Sequence, residues 1–336
     1  MHARERRYAA RDNNRIVRPF EWGASFVKAD ANGDDPRRIL GEHTRVIARD
    51  SETFFNLPPI ADYQLTNDTL TWTSAVRTLS QENDMARARF FPAPNKKEAG
   101  SKRRAVLILP QWNADAESHV ALCRVLNRLG IAALRLTLPY HEERRPPELE
   151  RADFLVSSNI GRTIQSMRQA VLDVRAAAYW LRHRGYNRIG IVGTSIGSCT
   201  SFLAFVHDEA IDVGVFNHVS GYFADVVWHG ISTQHVRAGF KDEVTLEELR
   251  EYWLPISPLF YIERLARLKP RPMRFIAARY DLTFPPKLSR NVIAAVQSRN
   301  VPLDVTWLSC GHYTLGEKPW VYLDGWKIAA FLKKHL

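Results

Sequence analysis

Ser195 stands in Gly193-Thr194-Ser195-Ile196-Gly197, directly after the apolar run Ile189-Gly190-Ile191-Val192. A serine hydroxyl is a weak nucleophile until it is lifted clear of the chain and given a base. A sharp strand-to-helix turn does the lifting and forces the serine into strained backbone angles. The residues two before and two after it then almost touch, which suits Gly193 and Gly197 because neither carries a Cβ. A helix expected over 198–208 directs its unpaired N–H groups, and the positive end of its dipole, at the same spot. There the Ile196 N–H is the natural donor to an oxyanion. Residues of these types at this spacing suit nucleophilic attack on a carbonyl.

Such a serine needs a base, and the base needs an orienting acid. His312, in Ser309-Cys310-Gly311-His312-Tyr313, follows an expected strand at 303–308. Asp281, in Arg279-Tyr280-Asp281-Leu282, follows another at 273–278. The chain order Ser, Asp, His is the one a strand–turn–helix nucleophile of this type calls for. Among the 11 histidines, His218 and His229 also fall near the expected pocket. His218 ends a strand and reads as a packed or pocket-lining residue, and Asp225 is the competing carboxylate. The second oxyanion donor is expected on the loop Leu109-Pro110-Gln111-Trp112-Asn113. Trp112 is the first choice and Gln111 the next, and the Trp112 ring is a candidate wall of the acyl pocket. Cys199, inside the helix after the serine, reads as packing. No H-E-x-x-H, no closely spaced Cys/His set and no glycine-rich dinucleotide loop occurs, so neither a metal nor a cofactor is expected.

The elements that must carry these residues alternate. Strands are expected at 69–76, 85–91, 105–109, 131–138, 189–192, 213–216, 273–278 and 303–308. Helices are expected at 37–55, 118–129 (with Asn113 or Asp115 as cap), 160–184, 198–208, 288–297 and 322–334. Strands separated by helices imply an α/β fold with a mostly parallel sheet covered on both faces. Sites in such sheets form at the carboxyl ends of the strands, where Ser195, Asp281 and His312 all fall. A polar turn is expected at 95–102 and another at 31–36. Met1 to Arg18 reads as a polar, basic arm, and residues 1–65 as an extension packed on a domain spanning 66–336. The long interruption at about 221–269 carries Tyr222, Phe223, Trp228, Tyr252, Trp253, Phe260 and Tyr261, and reads as a lid-like helical insertion.

The chain has 336 residues, 45% hydrophobic and 25% charged, which is ordinary globular composition. Its net charge of +11 comes from 47 Lys+Arg against 36 Asp+Glu, with the arginines scattered. Scattered charge favours a basic surface over a nucleic-acid or membrane-surface role. Arg144 and Arg145, between Tyr140 and Pro147, are candidates to meet an anionic substrate or to form a solvated turn. Cys123, Cys199 and Cys310 show no paired spacing, which suits a reducing compartment. No stretch approaches the roughly 18–20 apolar residues of a membrane helix. The expectation is a cytoplasmic protein acting on a small molecule.

Gly193-Thr194-Ser195-Ile196-Gly197, Arg279-Tyr280-Asp281 and Gly311-His312 together resemble the alpha/beta-hydrolase superfamily, from about Thr69 to the C-terminus. The lead-in Asp173-Val174-Arg175-Ala176-Ala177-Ala178-Tyr179-Trp180-Leu181 and the stretch Pro255-Ile256-Ser257-Pro258-Leu259 resemble its dienelactone-hydrolase and prolyl-oligopeptidase-like branches. The resemblance implies an eight-stranded, mostly parallel sheet, with Ser195 as nucleophile, His312 as base and Asp281 as its partner. Two departures matter. Pro110-Gln111 stands where many lipases and esterases carry His-Gly, and a serine stands where dienelactone hydrolases carry cysteine. The resulting expectation is a serine hydrolase of carboxylic esters. Acyl transfer or amide hydrolysis on the same triad, and a non-catalytic binding protein of the same fold, are the alternatives.

Overall fold

The computed structural model describes residues 1–31, 33–94 and 102–336. The turn expected at 95–102 lies outside the described residues except for Lys102, as does Asn32 of the turn at 31–36. Among the described residues, nine strands form one sheet: β1 (Gln64–Thr66), β2 (Thr69–Thr73), β3 (Met85–Phe91), β4 (Arg104–Leu109), β5 (Ala132–Thr137), β6 (Arg188–Thr194), β7 (Val213–Asn217), β8 (Met273–Ala278) and β9 (Asp304–Leu308). Their order across the sheet is β1-β2-β3-β5-β4-β6-β7-β8-β9. The run from β5 to β9 is parallel, and β1, β2 and β3 join it antiparallel. The strand beyond the expected eight is β1. It is three residues long, too short to show alternation, and turns back on β2 through Asn67 at φ 56°.

Preceding the sheet are α1 (His2–Ala9), α2 (Pro36–Arg49) and α3 (Ser51–Phe54). The single helix expected over 37–55 is divided at Asp50, whose backbone leaves the helical region (φ −144°) and whose carboxylate accepts the Thr53 N–H at 3.0 Å. The other helices are α4 (Val120–Arg128), α5 (Ile160–His183), α6 (Ile196–His207), α7 (Phe223–His229), α8 (Gln234–Phe240), α9 (Leu246–Tyr252), α10 (Ile262–Arg267), α11 (Pro286–Gln297) and α12 (Trp320–His335). Neither expected residue caps α4. Its cap position is His119 at φ 68°, while Asp115 holds the preceding turn by accepting the Ser118 N–H at 2.8 Å. Asn113 instead accepts the Ala152 N–H at 2.9 Å.

Alternation along β4 shows why its sequence is unbrokenly apolar. Ala105, Leu107 and Leu109 join the core formed with α5 and α6. Val106 and Ile108 join a second core formed with α4 and α12. A strand buried on both faces has no polar face to display. Between β7 and β8, α7–α10 form the insertion. Its Trp253 is fully buried and donates to the Ile160 carbonyl at 3.2 Å, with the Phe223 and Phe240 rings packed against it.

Candidate active site

Geometry at Ser195 follows from the two glycines. Ser195 holds φ 58°, ψ −121°, a conformation side-chain-bearing residues rarely adopt. A Cβ on Gly193 would overlap the Gly197 carbonyl, and one on Gly197 would overlap the Leu109 and Pro110 carbonyls. The turn is therefore pressed both on itself and on the loop after β4. The Ser195 N–H donates to the Asn217 carbonyl at 2.8 Å, tying the turn to the end of β7. The Ser198 hydroxyl braces it further, at 2.7 Å from the Ser195 carbonyl and 2.8 Å from that of His218. Helix α6 begins at Ile196 with no side-chain cap; the Ser198 N–H turns back to the Ser195 carbonyl at 2.8 Å, which leaves the N–H groups ahead of it for a ligand.

His312 faces the same cavity as the turn, with Asp281 behind it. Asp281 is buried, and its Oδ1 accepts the N–H groups of Thr283 and Phe284, both at 2.7 Å. His312 Nδ1 donates to Asp281 Oδ2 at 3.2 Å, and the Phe284 ring stacks on the imidazole with centroids 5.4 Å apart. Burial pushes the Asp281 carboxyl up, but the His312 charge and the hydrogen bonds it accepts outweigh this and hold it well below the usual carboxylate range. The bond to Asp281 places a hydrogen on His312 Nδ1.

His218, expected as a packed or pocket-lining residue, is buried and lines the cavity, and it also meets Asp281, a contact not expected from the sequence. Its Nδ1 lies 2.8 Å from the same Asp281 oxygen, nearer than that of His312, though the ring makes no well-directed hydrogen bond. Burial pulls its pKa below the ordinary histidine value, so it is neutral. The signal was positional. Strand β7 lies between β6 and β8, so the residue at its carboxyl end must fall between serine and acid. Ligand atoms of His218, Asp281 and His312 all lie within 4.8 Å of one another, a group that a metal ion is able to bridge. The 2.8 Å approach is tighter than the roughly 3.3–3.5 Å that separates ligand atoms about 2.0–2.2 Å from a tetrahedral zinc ion.

A cavity of about 1140 Å³ takes in Ser195, Ile196, His218, His312, Phe284 and Trp112, and extends between α4 and α12 over Leu122, Val125, Val321 and Trp326. Gln111 also lines it. The Trp112 ring stacks on His235 (5.6 Å, 12°) and donates to the Ala152 carbonyl at 2.9 Å. Asp225 stands apart from the histidines, forked by Arg250 at 2.5 and 3.0 Å. His229 ends α7 in solvent. Arg144 meets no substrate: it is fully buried, 2.9 Å from Asp173, and donates to the Asn83 and Thr137 carbonyls. Cys199 is buried against the Ile256 carbonyl, and burial raises its thiol far above the ordinary value. Among the described residues, no helix is long and apolar enough to cross a membrane.

No protein-family model and no curated protein sequence matches the chain. Solved structures do. An acetyl xylan esterase from Paenibacillus sp. R4 aligns over 93% of this chain and 98% of its own, at 12% identity and a TM-score of 0.63. Pyrococcus horikoshii acylaminoacyl peptidase aligns over 85% of this chain at 13% identity and a TM-score of 0.59, and the chain spans 43% of that protein's length. A lipase in its open form aligns over 79% of this chain and 97% of its own, at 9% identity and a TM-score of 0.56. Together with the sheet order and the turn at Ser195, these likenesses establish the alpha/beta-hydrolase fold.

Proposed function

We propose that the protein is a serine hydrolase that cleaves a carboxylic ester through an acyl-enzyme. One observation carries the reading: the strained Ser195 turn and His312, itself held by Asp281 at 3.2 Å, face one cavity. Ser195 Oγ attacks the ester carbonyl while His312 Nε2 takes its proton. Asp281 holds the imidazole and stabilises the imidazolium. The Ile196 N–H, with the Trp112 N–H on the loop pressed against Gly197, receives the oxyanion. His312 then gives its proton to the leaving alcohol. A water deprotonated by the same nitrogen releases the acid and restores Ser195.

The apolar lining between α4 and α12, and Phe223 and Val227 of the insertion, favour an apolar acyl group. The fold is shared with esterases and a lipase. It is also shared with an acylaminoacyl peptidase, which keeps amide hydrolysis, with acyl transfer, as the second reading. In the same reading, residues 1–65 are an extension on a hydrolase domain at 66–336, and 221–269 acts as a lid. The three free, buried cysteines suit a cytoplasmic setting.

A fluorophosphonate probe tests the nucleophile. Covalent labelling of the folded protein, abolished by Ser195→Ala, is the expected outcome, and an unlabelled Ser195 ends the proposal. Relative turnover of p-nitrophenyl esters, aminoacyl amides and thioesters separates the two readings.

A further inference from the structure

The N-terminal arm reaches the candidate base. Glu5 on α1 is completely buried, although it belongs to a helix of otherwise largely exposed, basic residues. Its Oε2 accepts the Tyr313 N–H at 3.1 Å and its Oε1 the Thr314 N–H at 2.8 Å. These are the two amides immediately after His312. On the other flank of the histidine, a Cβ on Gly311 would overlap the Glu5 side chain. The carboxylate therefore fills the space behind the histidine loop and holds it from both sides.

Further tethers converge on the same loop. The Tyr313 hydroxyl accepts from Arg15 Nη2 at 2.7 Å and donates to Asp12 Oδ2 at 3.3 Å. Arg4 and Tyr8 both donate to Glu317. The His2 ring meets Tyr280, the neighbour of Asp281, edge-on at 5.7 Å.

Burying a carboxylate is costly unless its oxygens are well satisfied. Two backbone N–H donors on two oxygens supply that, and they fix the peptide planes they come from. An imidazole must keep its angle to both hydroxyl and carboxylate to pass a proton, so the loop's backbone angles set the proton path.

We infer that Glu5 is a positioning residue: from outside the sheet it locks the Tyr313 and Thr314 amides so that His312 keeps its alignment with Asp281. The inference rests on the proposed role of His312 and adds Glu5 to the working parts of the site.

The test uses the full-length chain, with Glu5→Ala, Glu5→Gln and Arg4→Ala, the last removing only a half-exposed tether. Far- and near-UV circular dichroism establishes that each is folded at the assay temperature. For Glu5→Ala, kcat on a short p-nitrophenyl ester and the rate of fluorophosphonate labelling at Ser195 both fall about 100-fold, with KM held within about two-fold. Glu5→Gln keeps one acceptor but turns an NH₂ towards the other amide, and kcat falls about ten-fold. Arg4→Ala stays within about two-fold of the wild type.

General loosening of the fold would shift KM and kcat together and would affect Arg4→Ala as well. A labelled wild type with Glu5→Gln equal to it in kcat and labelling rate overturns the clamp alone. An unlabelled wild type overturns both the triad reading and the clamp. If Glu5→Ala does not fold, the near-isosteric Glu5→Gln decides.

Discussion

The nucleophile turn and the histidine loop face each other across one cavity but are held by opposite means. Almost everything that fixes the turn is local in sequence or one strand away: Gly193, Gly197, Ser198 and the Asn217 carbonyl. The histidine loop is fixed by segments far apart in the chain: Asp281 and Phe284 after β8, and Glu5, Asp12 and Arg15 from the N-terminal arm. A local constraint keeps its shape while distant parts shift. A loop assembled from distant partners shifts with them.

Substitutions at the reacting atoms break the comparison most severely. Ser195→Ala removes the nucleophile, and kcat falls by about 10⁴-fold or more with KM little changed. His312→Ala falls by about 10³–10⁴-fold, because Ser195 then has no base. Steady-state assays on an ester, with covalent labelling in parallel, measure both. If His218→Ala lost activity to this extent while His312→Ala stayed active, the base would be the other histidine.

How readily each side was read from the sequence follows the same division. The turn was legible because G-x-S-x-G, the apolar run before it and the helix after it form one continuous stretch. The meeting of Asp281 with His312 was legible because each directly follows a strand. Glu5 was not legible: within Arg4-Glu5-Arg6-Arg7 it is one acid among bases, and nothing local marks it as buried. Arg144 erred the other way, since charged residues beside Pro146 and Pro147 read as a solvated turn. Its partner Asp173 lies on α5, and Asp173 gave no local sign of facing inwards. The fold class was legible from alternation, and β1 was not, because three residues carry no period.

Gly197→Ala tests how rigid the local side is. The added methyl meets the Leu109 and Pro110 carbonyls, which are backbone and have little freedom to retreat. The turn and the oxyanion loop must separate, and kcat falls about 100-fold in protein that remains folded, as a misplacement of about 1 Å would cause. Activity within about three-fold of the wild type would mean the two backbones part more easily than their packing implies.

His218→Ala is the milder test on the distant side. It removes a neutral ring 2.8 Å from the Asp281 carboxylate and 4.6 Å, centroid to centroid, from His312. The expected loss in kcat is about ten-fold, from a carboxylate with one contact fewer and an imidazole free to tilt. His218→Asn, which restores a polar neighbour without a ring, should recover part of it.

The gentlest probe is pH, and it acts first on the local side. His141 Nδ1 donates to the Pro139 carbonyl at 2.9 Å, and its Nε2 accepts the Asn113 N–H at 2.8 Å on the loop beside Trp112. That pattern requires a neutral ring, and burial pulls the pKa to about 4. His119, whose Nε2 lies 2.9 Å from the Thr194 hydroxyl, is likewise pulled to about 4 by burial. A folded pKa below the unfolded value of about 6.5 means the unfolded chain binds protons first. Stability from these rings is therefore full above about pH 6.5 and is lost as pH falls towards 4. Asp281 is depressed as well, so it stays charged across that window and loses its contribution only in stronger acid. Urea midpoints should decline steadily from pH 7 to pH 4.5. His141→Gln, which keeps an acceptor for Asn113 without a titrating ring, should flatten part of that decline. A midpoint that is level across the window in the wild type would show that these rings titrate alike in both states.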